Sequence, residues 1–204
     1  MGDNDTPAKQ TPGNWTSVDT DWYDSRWKQM AAQGHNPHGE ADFVSRFAPA
    51  SVLDAGCGTG RLAIELAARG CDVAAVDLDL PMIEAAQQKA PELDIRHGDL
   101  AFVDLERAFD VVVMAGNVMI FVAPGTVERV VHNMARHVNV DGRLISGFQL
   151  DRGLAAADYS LAVQAAGLVE EERWSTWDGE AASDADAYVV FVHRRGKTSG
   201  GERP

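Results

Sequence analysis

Val52-Leu53-Asp54-Ala55-Gly56-Cys57-Gly58-Thr59-Gly60 is the stretch on which the reading of this 204-residue chain turns. An apolar run ends on a carboxylate, glycines alternate through the next turn, and a helix-compatible segment starts near Thr59. Strand, tight turn and helix in that order make a site for a nucleotide-like ligand. Glycine lets the backbone come close, and the first turn of the helix offers unpaired amides to a carboxylate or phosphate. Asp54 weighs between those two anions, because a carboxylate at the strand end suits a ligand carrying an ammonium group and repels a pyrophosphate. The spacing still leaves a dinucleotide open, since Gly58-Thr59-Gly60-Arg61-Leu62-Ala63 fits the dinucleotide fingerprint in its Gly/Ala form.

Outward from this turn the chain alternates short apolar runs, turn residues and helical segments, the signature of βαβ units. Strands are expected at about 50–54, 72–76, 93–97, 109–114 and 142–149, where runs such as VAAVD and FDVVVM suit strands covered on both faces. Helices fill the gaps. The clearest is expected over 124–137, with Val127, Val130, Val131, Met134 and Val138 on one stripe behind Pro124. A helix ending at Gly167 and strands at about 168–177 and 186–193 predict a closing β-hairpin, whose acidic loop reads as a solvated connection. Upstream, Trp22, Tyr23, Arg26, Trp27 and Met30 recur at helical spacing, and a second helix is expected from His38 to Phe47. The domain reading is a tail over 1–14, an N-terminal helical lid over 15–48, an α/β domain over 49–195 and a tail over 196–204, both tails polar enough to be expected disordered.

Two further acidic strand ends follow the first. Asp77 closes the second strand, where it can accept hydrogen bonds from two ribose hydroxyls, and Gly98-Asp99-Leu100 follows the third, where Asp99 can accept from an adenine amine and the Leu100 amide can donate to a ring nitrogen. Asp79 reads as the N-cap of the helix holding Pro81 and Met82. Arg61 reads either as a partner for a ligand carboxylate or as part of a surface ion pair.

Composition narrows the function. A formal net charge of -13 and only four lysines, with no basic stripe, exclude phosphate backbones and anionic membranes as natural partners. No stretch of 18 apolar residues occurs, and the N-terminal residues lack the basic then apolar pattern of a secretion signal, so a cytoplasmic protein is expected. Cys57 and Cys71 fall at opposite ends of a parallel strand pair, beyond the ~7 Å reach of a disulfide, and are expected as free thiols.

Taken together, DAGCGTG, VDLDLPMI, HGDL and FDVVVMAGN resemble the ordered motifs of the class I S-adenosylmethionine-dependent methyltransferases, over about residues 35 to 193. The resemblance implies a doubly wound, mostly parallel seven-stranded sheet in the order 3-2-1-4-5-7-6, with strand 7 antiparallel and helices on both faces. It implies S-adenosylmethionine as cofactor and S-adenosylhomocysteine as product. By position, Asp54 and the turn of Gly56, Cys57, Gly58 and Gly60 would hold the methionine moiety, and Asp77 the ribose. Gly98, Asp99 and Leu100 would meet the adenine, flanked by Leu78 and Met82, while Ala115, Gly116 and Asn117 would face the methyl group and its acceptor.

Ala115-Gly116-Asn117-Val118 departs from the Asn/Asp-Pro-Pro-aromatic pattern of amide and exocyclic-amine methylating enzymes, and Met114 to Val122 holds no carboxylate for a catechol-type metal site. No metal and a small-molecule acceptor are therefore expected. Methyl transfer from a sulfonium is an in-line displacement with an already activated donor, so alignment supplies most of the acceleration and a general base is optional. Tyr23, His38 and Asn117 are the candidates for a catalytic part; His132, His137 and His193 read as exposed. Two other functions remain compatible with these residues: a nicotinamide-dependent oxidoreductase, disfavoured because no Tyr-x-x-x-Lys pair is present, and a non-catalytic module that binds the cofactor and acts through a partner.

Overall fold

The computed structural model describes residues 15, 17–150, 152–183 and 185–197; the tail predicted over 1–14 and most of that over 196–204 lie outside them. Seven strands form one sheet: β1 (Ser51–Ala55), β2 (Asp72–Asp77), β3 (Asp94–His97), β4 (Phe109–Met114), β5 (Val138–Gln149), β6 (Leu168–Trp174) and β7 (Tyr188–Arg195). Their order is β3-β2-β1-β4-β5-β7-β6. The first five are parallel, and β7 runs antiparallel to both β5 and β6.

Burial follows the alternation of side chains on a pleated strand. Leu53, Val112, Met114 and Phe148 join one apolar layer with Val130, Val131 and Met134 of α6 (Val127–Arg136) and Tyr159 of α7 (Ala156–Ala165). Val52, Val73, Val111 and Val113 join the opposite layer with Leu62 and Leu66 of α3 (Arg61–Ala68), Ile83 of α4 (Leu80–Lys89) and Phe43 of α2 (Gly39–Ser45). The apolar runs of the central strands thus supply both faces, as parallel strands require.

Several boundaries differ from expectation. The helix expected over 124–137 starts at Val127, and a separate short helix, α5 (Val118–Phe121), precedes it. β5 begins at Val138, because a register shift between Phe109 and Val111 of β4 absorbs the irregular stretch around Gly142. The β6–β7 loop is not only a solvated connection: Trp177 packs edge-on to Phe43 at 5.4 Å, donates from Nε1 to the Tyr188 hydroxyl at 2.8 Å and covers the bare Gly147. His137 and His193 are buried rather than exposed. The Leu105 amide donates to His137 Nε2 (3.2 Å), which leaves the Nδ1 proton for the Asn133 carbonyl (2.8 Å), whereas His193 lies under Tyr159 and Phe191 on the inner face of β7. Cys57 and Cys71 are free.

α1 (Thr20–Ala32) contributes no fully buried residue. It is held mostly by polar contacts: Thr59 Oγ1 donates to Asp24 (2.6 Å), Lys89 pairs with Asp24, and the Arg61 guanidinium stacks on Trp27 at 3.7 Å. Among the described residues, no helix is long and apolar enough to cross a membrane.

Candidate active site

The C-terminal ends of β1, β2 and β4 open onto a solvent-open cleft, and a smaller cavity adjoins it. Tyr23, Gly56, Ala115 and Gly116 line both. Asp77 and Asp99 stand in the larger part, Asp54 and Arg61 in the smaller.

The glycine turn has its shape for steric reasons. Gly56 adopts φ +87, and a Cβ on it would lie 2.3 Å from Val118 Cγ2. Gly58 adopts φ +54, with the Tyr23 hydroxyl 3.6 Å from where a Cβ would stand. Both positions need left-handed backbone, and Gly56 needs the close approach as well.

Asp54 is 2% exposed, and its Oδ2 accepts from the Ala63 amide in the first turn of α3 (3.0 Å). Burial pushes its pKa up to about 7, against the pull of the Arg61 guanidinium and the Ala63 amide. Asp77 accepts from the Gly58 amide on Oδ2 and from the Asp79 amide on Oδ1, both at 2.8 Å. Burial raises its pKa as well, with those amides countering. Each Asp77 oxygen keeps a second lone pair for a ligand hydroxyl. Asp99 accepts from the Ala101 amide (2.8 Å), and Asn133 of α6 donates to the carbonyls of Leu100 and Val103, fixing the loop after β3 against the core. Burial raises the pKa of Tyr23, against the nearby Arg26 and Arg61, so it stands over the glycine turn as a neutral phenol.

Arg61 forms a bidentate pair with Glu40 of α2 (2.7 and 3.0 Å) and donates to the Pro37 carbonyl. With Trp27 stacked on it, this guanidinium ties α1, α2 and α3 together at the edge of the smaller cavity. The Asp54 side chain already occupies the Ala63 amide in the first turn of α3.

Residues 52–142 match the family model described as a methyltransferase domain. A solved structure, the TehB-like S-adenosylmethionine-dependent methyltransferase from Corynebacterium glutamicum, is 35% identical with a TM-score of 0.80, covering 86% of this chain and 97% of that one. The chain belongs to the S-adenosylmethionine-dependent methyltransferases. Among curated methyltransferases, a magnesium-protoporphyrin O-methyltransferase of Rhodobacter capsulatus is 40% identical over 78 residues, and a cypemycin N-terminal methyltransferase of a Streptomyces species is 34% identical over 96. Those matches cover 36% and 45% of this chain and only 34% and 39% of the relatives.

The residues present fit the cofactor of this methyltransferase family. Gly116, at the junction of the two cavities, adopts φ +70, and a Cβ on it would meet nothing within 4 Å. The two carboxylates of the larger cleft and the buried one of the smaller cavity lie on either side of that junction. Of the residues singled out from sequence, Gly56, Gly58, Asp77, Leu78, Met82, Asp99, Leu100 and Ala115 line the larger cleft, and Asp54 and Cys57 the smaller cavity.

Four residues do not line either. A Cβ on Gly60 would lie 3.1 Å from Ala86, and one on Gly98 3.3 Å from Val103, so both glycines serve packing. Asn117 turns its Oδ1 to the Gln149 amide (2.8 Å), joining the ends of β4 and β5. His38 stands at the start of α2, 3.4 Å from Glu65 of α3. Asp79 occupies the N-cap position of α4 as expected, yet its side chain makes no cap bond and turns instead to Trp15 and Ser17. Sequence reasoning missed Trp15, Val118, Phe121 and Thr126, which wall the larger cleft. Among the described residues, no group of three or more His, Cys, Asp or Glu could hold a metal ion.

Proposed function

We propose that this chain transfers the methyl group of S-adenosylmethionine to a small-molecule acceptor, in the cytoplasm and without a nucleic acid or membrane partner. The observation that carries the reading is the two-part cavity: Asp77 and Asp99 on one side of Gly116, Asp54 and Arg61 on the other. In this assignment Asp77 takes the ribose hydroxyls, Asp99 and the Leu100 amide take the adenine beside Leu78 and Met82, and Asp54 takes the ammonium group. The Gly56 to Gly60 turn lies against the methionine moiety, its glycines giving the backbone room, and residues 15–48 act as a lid.

When bound, the cofactor supplies an activated methyl group. The chain supplies alignment, with Tyr23, Gly56, Ala115 and Gly116 converging where the two cavities meet. Asn117 and His38, turned to Gln149 and Glu65, are set aside as proton acceptors. Tyr23 orients rather than deprotonates, since burial holds its phenol neutral.

Calorimetric titration with S-adenosylhomocysteine and with NADH, followed by radiolabelled methyl transfer to fractionated small-molecule extract, tests the reading. Binding of S-adenosylhomocysteine and a labelled small product are expected. Binding of NADH alone would replace this reading with the oxidoreductase, and tight cofactor binding without transfer to any fraction would favour a non-catalytic module.

A further inference from the structure

Asp79 is 7% exposed at the N-cap position of the ten-residue α4, where a carboxylate normally accepts a helix amide at a benefit of about 1 kcal/mol. Its side chain forgoes that bond. Oδ2 accepts from Trp15 Nε1 at 2.7 Å, and Oδ1 accepts from Ser17 Oγ at 3.0 Å. Trp15 meets Phe121 of α5 edge-on, with ring centroids 5.4 Å apart, and walls the same cleft as Asp77, Leu78 and Asp99. The Trp15 side chain therefore bridges the β2–α4 junction and α5, pinned by its bond to Asp79 at one side and in aromatic contact with Phe121 at the other, while Ser17 adds a second bond to Asp79.

The pin also reaches the ribose carboxylate. The Asp79 amide donates to Asp77 Oδ1 at 2.8 Å, so the backbone that carries the pin also orients Asp77.

Resting on the methyltransferase reading above, we propose that Trp15 is a cofactor-contacting residue that covers the adenosine half of the cleft, and that Asp79 is the positioning residue holding it there. Trp15 adds an apolar wall to the cleft that Met82 also lines, and the Asp79 carboxylate fixes the orientation of the indole through a charge-assisted bond. The strap governs how long the adenosine half stays bound rather than the methyl-transfer step.

Stopped-flow displacement of S-adenosylhomocysteine from the full chain tests this, with Asp79→Asn, Trp15→Phe and Trp15→Ala compared to wild type. Asp79→Asn and Trp15→Phe are expected to speed dissociation about 5-fold or more and Trp15→Ala further, with the ligand-free thermal midpoint unchanged. The KM for S-adenosylmethionine should rise while kcat at saturation holds. 5′-Methylthioadenosine, which carries the adenosine half alone, should lose affinity by the same factor. Wild-type dissociation rates in all three variants would overturn the strap, as would a loss confined to S-adenosylhomocysteine with 5′-methylthioadenosine unaffected. A wild-type chain that binds neither ligand would instead overturn the methyltransferase reading, and the strap with it.

Discussion

Asp54 holds a proton near neutrality because it is buried, and a ligand ammonium beside it would reverse that preference. Its pKa of about 7 lies above the ordinary carboxylate value of 3.8. Between about pH 4 and about 7 the unfolded chain releases this proton while the folded chain keeps it, so the group withdraws stability as pH rises through that window and is indifferent above it. With the ammonium group placed at Asp54, as proposed above, cofactor binding would favour the carboxylate. Titration calorimetry at about pH 6, in buffers of different ionisation enthalpy, is expected to register release of close to one proton per S-adenosylhomocysteine, falling to almost none at about pH 8.5. Heat independent of the buffer at pH 6 would remove Asp54 from the ammonium site. Asp77 has a simpler test: Asp77→Ala should weaken cofactor binding at least tenfold, roughly 1.4 kcal/mol, because two ribose donors lose a charged acceptor. Unchanged affinity would mean that the ribose lies elsewhere.

At the scale of elements, the β1–α3 turn is wedged against α5. Gly56→Ala combines an unfavourable φ of +87 with a Cβ 2.3 Å from Val118 Cγ2, and is expected to cost about 2 to 5 kcal/mol in denaturant unfolding. Adding Val118→Ala should return the packing part and not the backbone part. A neutral Gly56→Ala would mean that the turn and α5 are not packed as described. The β5–β7 pair carries a separate acid sensitivity. Burial under Tyr159 and Phe191 lowers the His193 pKa to about 4, so as pH falls from about 6.5 to about 4 the unfolded chain gains a proton that the fold refuses, and stability is lost over that range. His193→Leu is expected to spare up to roughly 3 kcal/mol of that loss, read from urea midpoints at the two pH values. An equal loss in the variant and wild type would acquit His193.

The elements were legible from sequence to different degrees, and the differences have causes. β1, β2 and β4 were read closely because strands buried on both faces appear as unbroken apolar runs. The start of β5 was obscured by Gly142 and by a register shift that only pairing with β4 creates. Asp79 stood in a cap position with a capping side chain, and only the tertiary approach of Trp15 and Ser17 redirected it. His193 was misjudged because a polar residue near a strand end reads as solvated until the strand's partners are known.

For the molecule as a whole, ligand occupancy should appear as global stability. At a free concentration one hundred times Kd, S-adenosylhomocysteine is expected to add about 2.7 kcal/mol, or roughly 5 to 10 °C in Tm for a chain of this size, while NADH adds nothing. The three acidic strand ends were visible as sequence because Asp54 and Asp77 close the apolar runs of β1 and β2 and Asp99 comes two residues after β3. The walls made by Trp15, Phe121 and Thr126 were not, since they come from three separate segments that meet only across the finished cleft. That cleft carries Asp77 and Asp99, the adjoining cavity carries Asp54, and the chain around them bears a formal net charge of -13. A donor that arrives with a sulfonium charge and departs as a neutral thioether is thus drawn inward by a field that loses its hold once the methyl group has gone. Product inhibition should therefore weaken relative to substrate binding at low ionic strength, so the salt dependence of that ratio measures how far the acidic surface itself drives turnover forward.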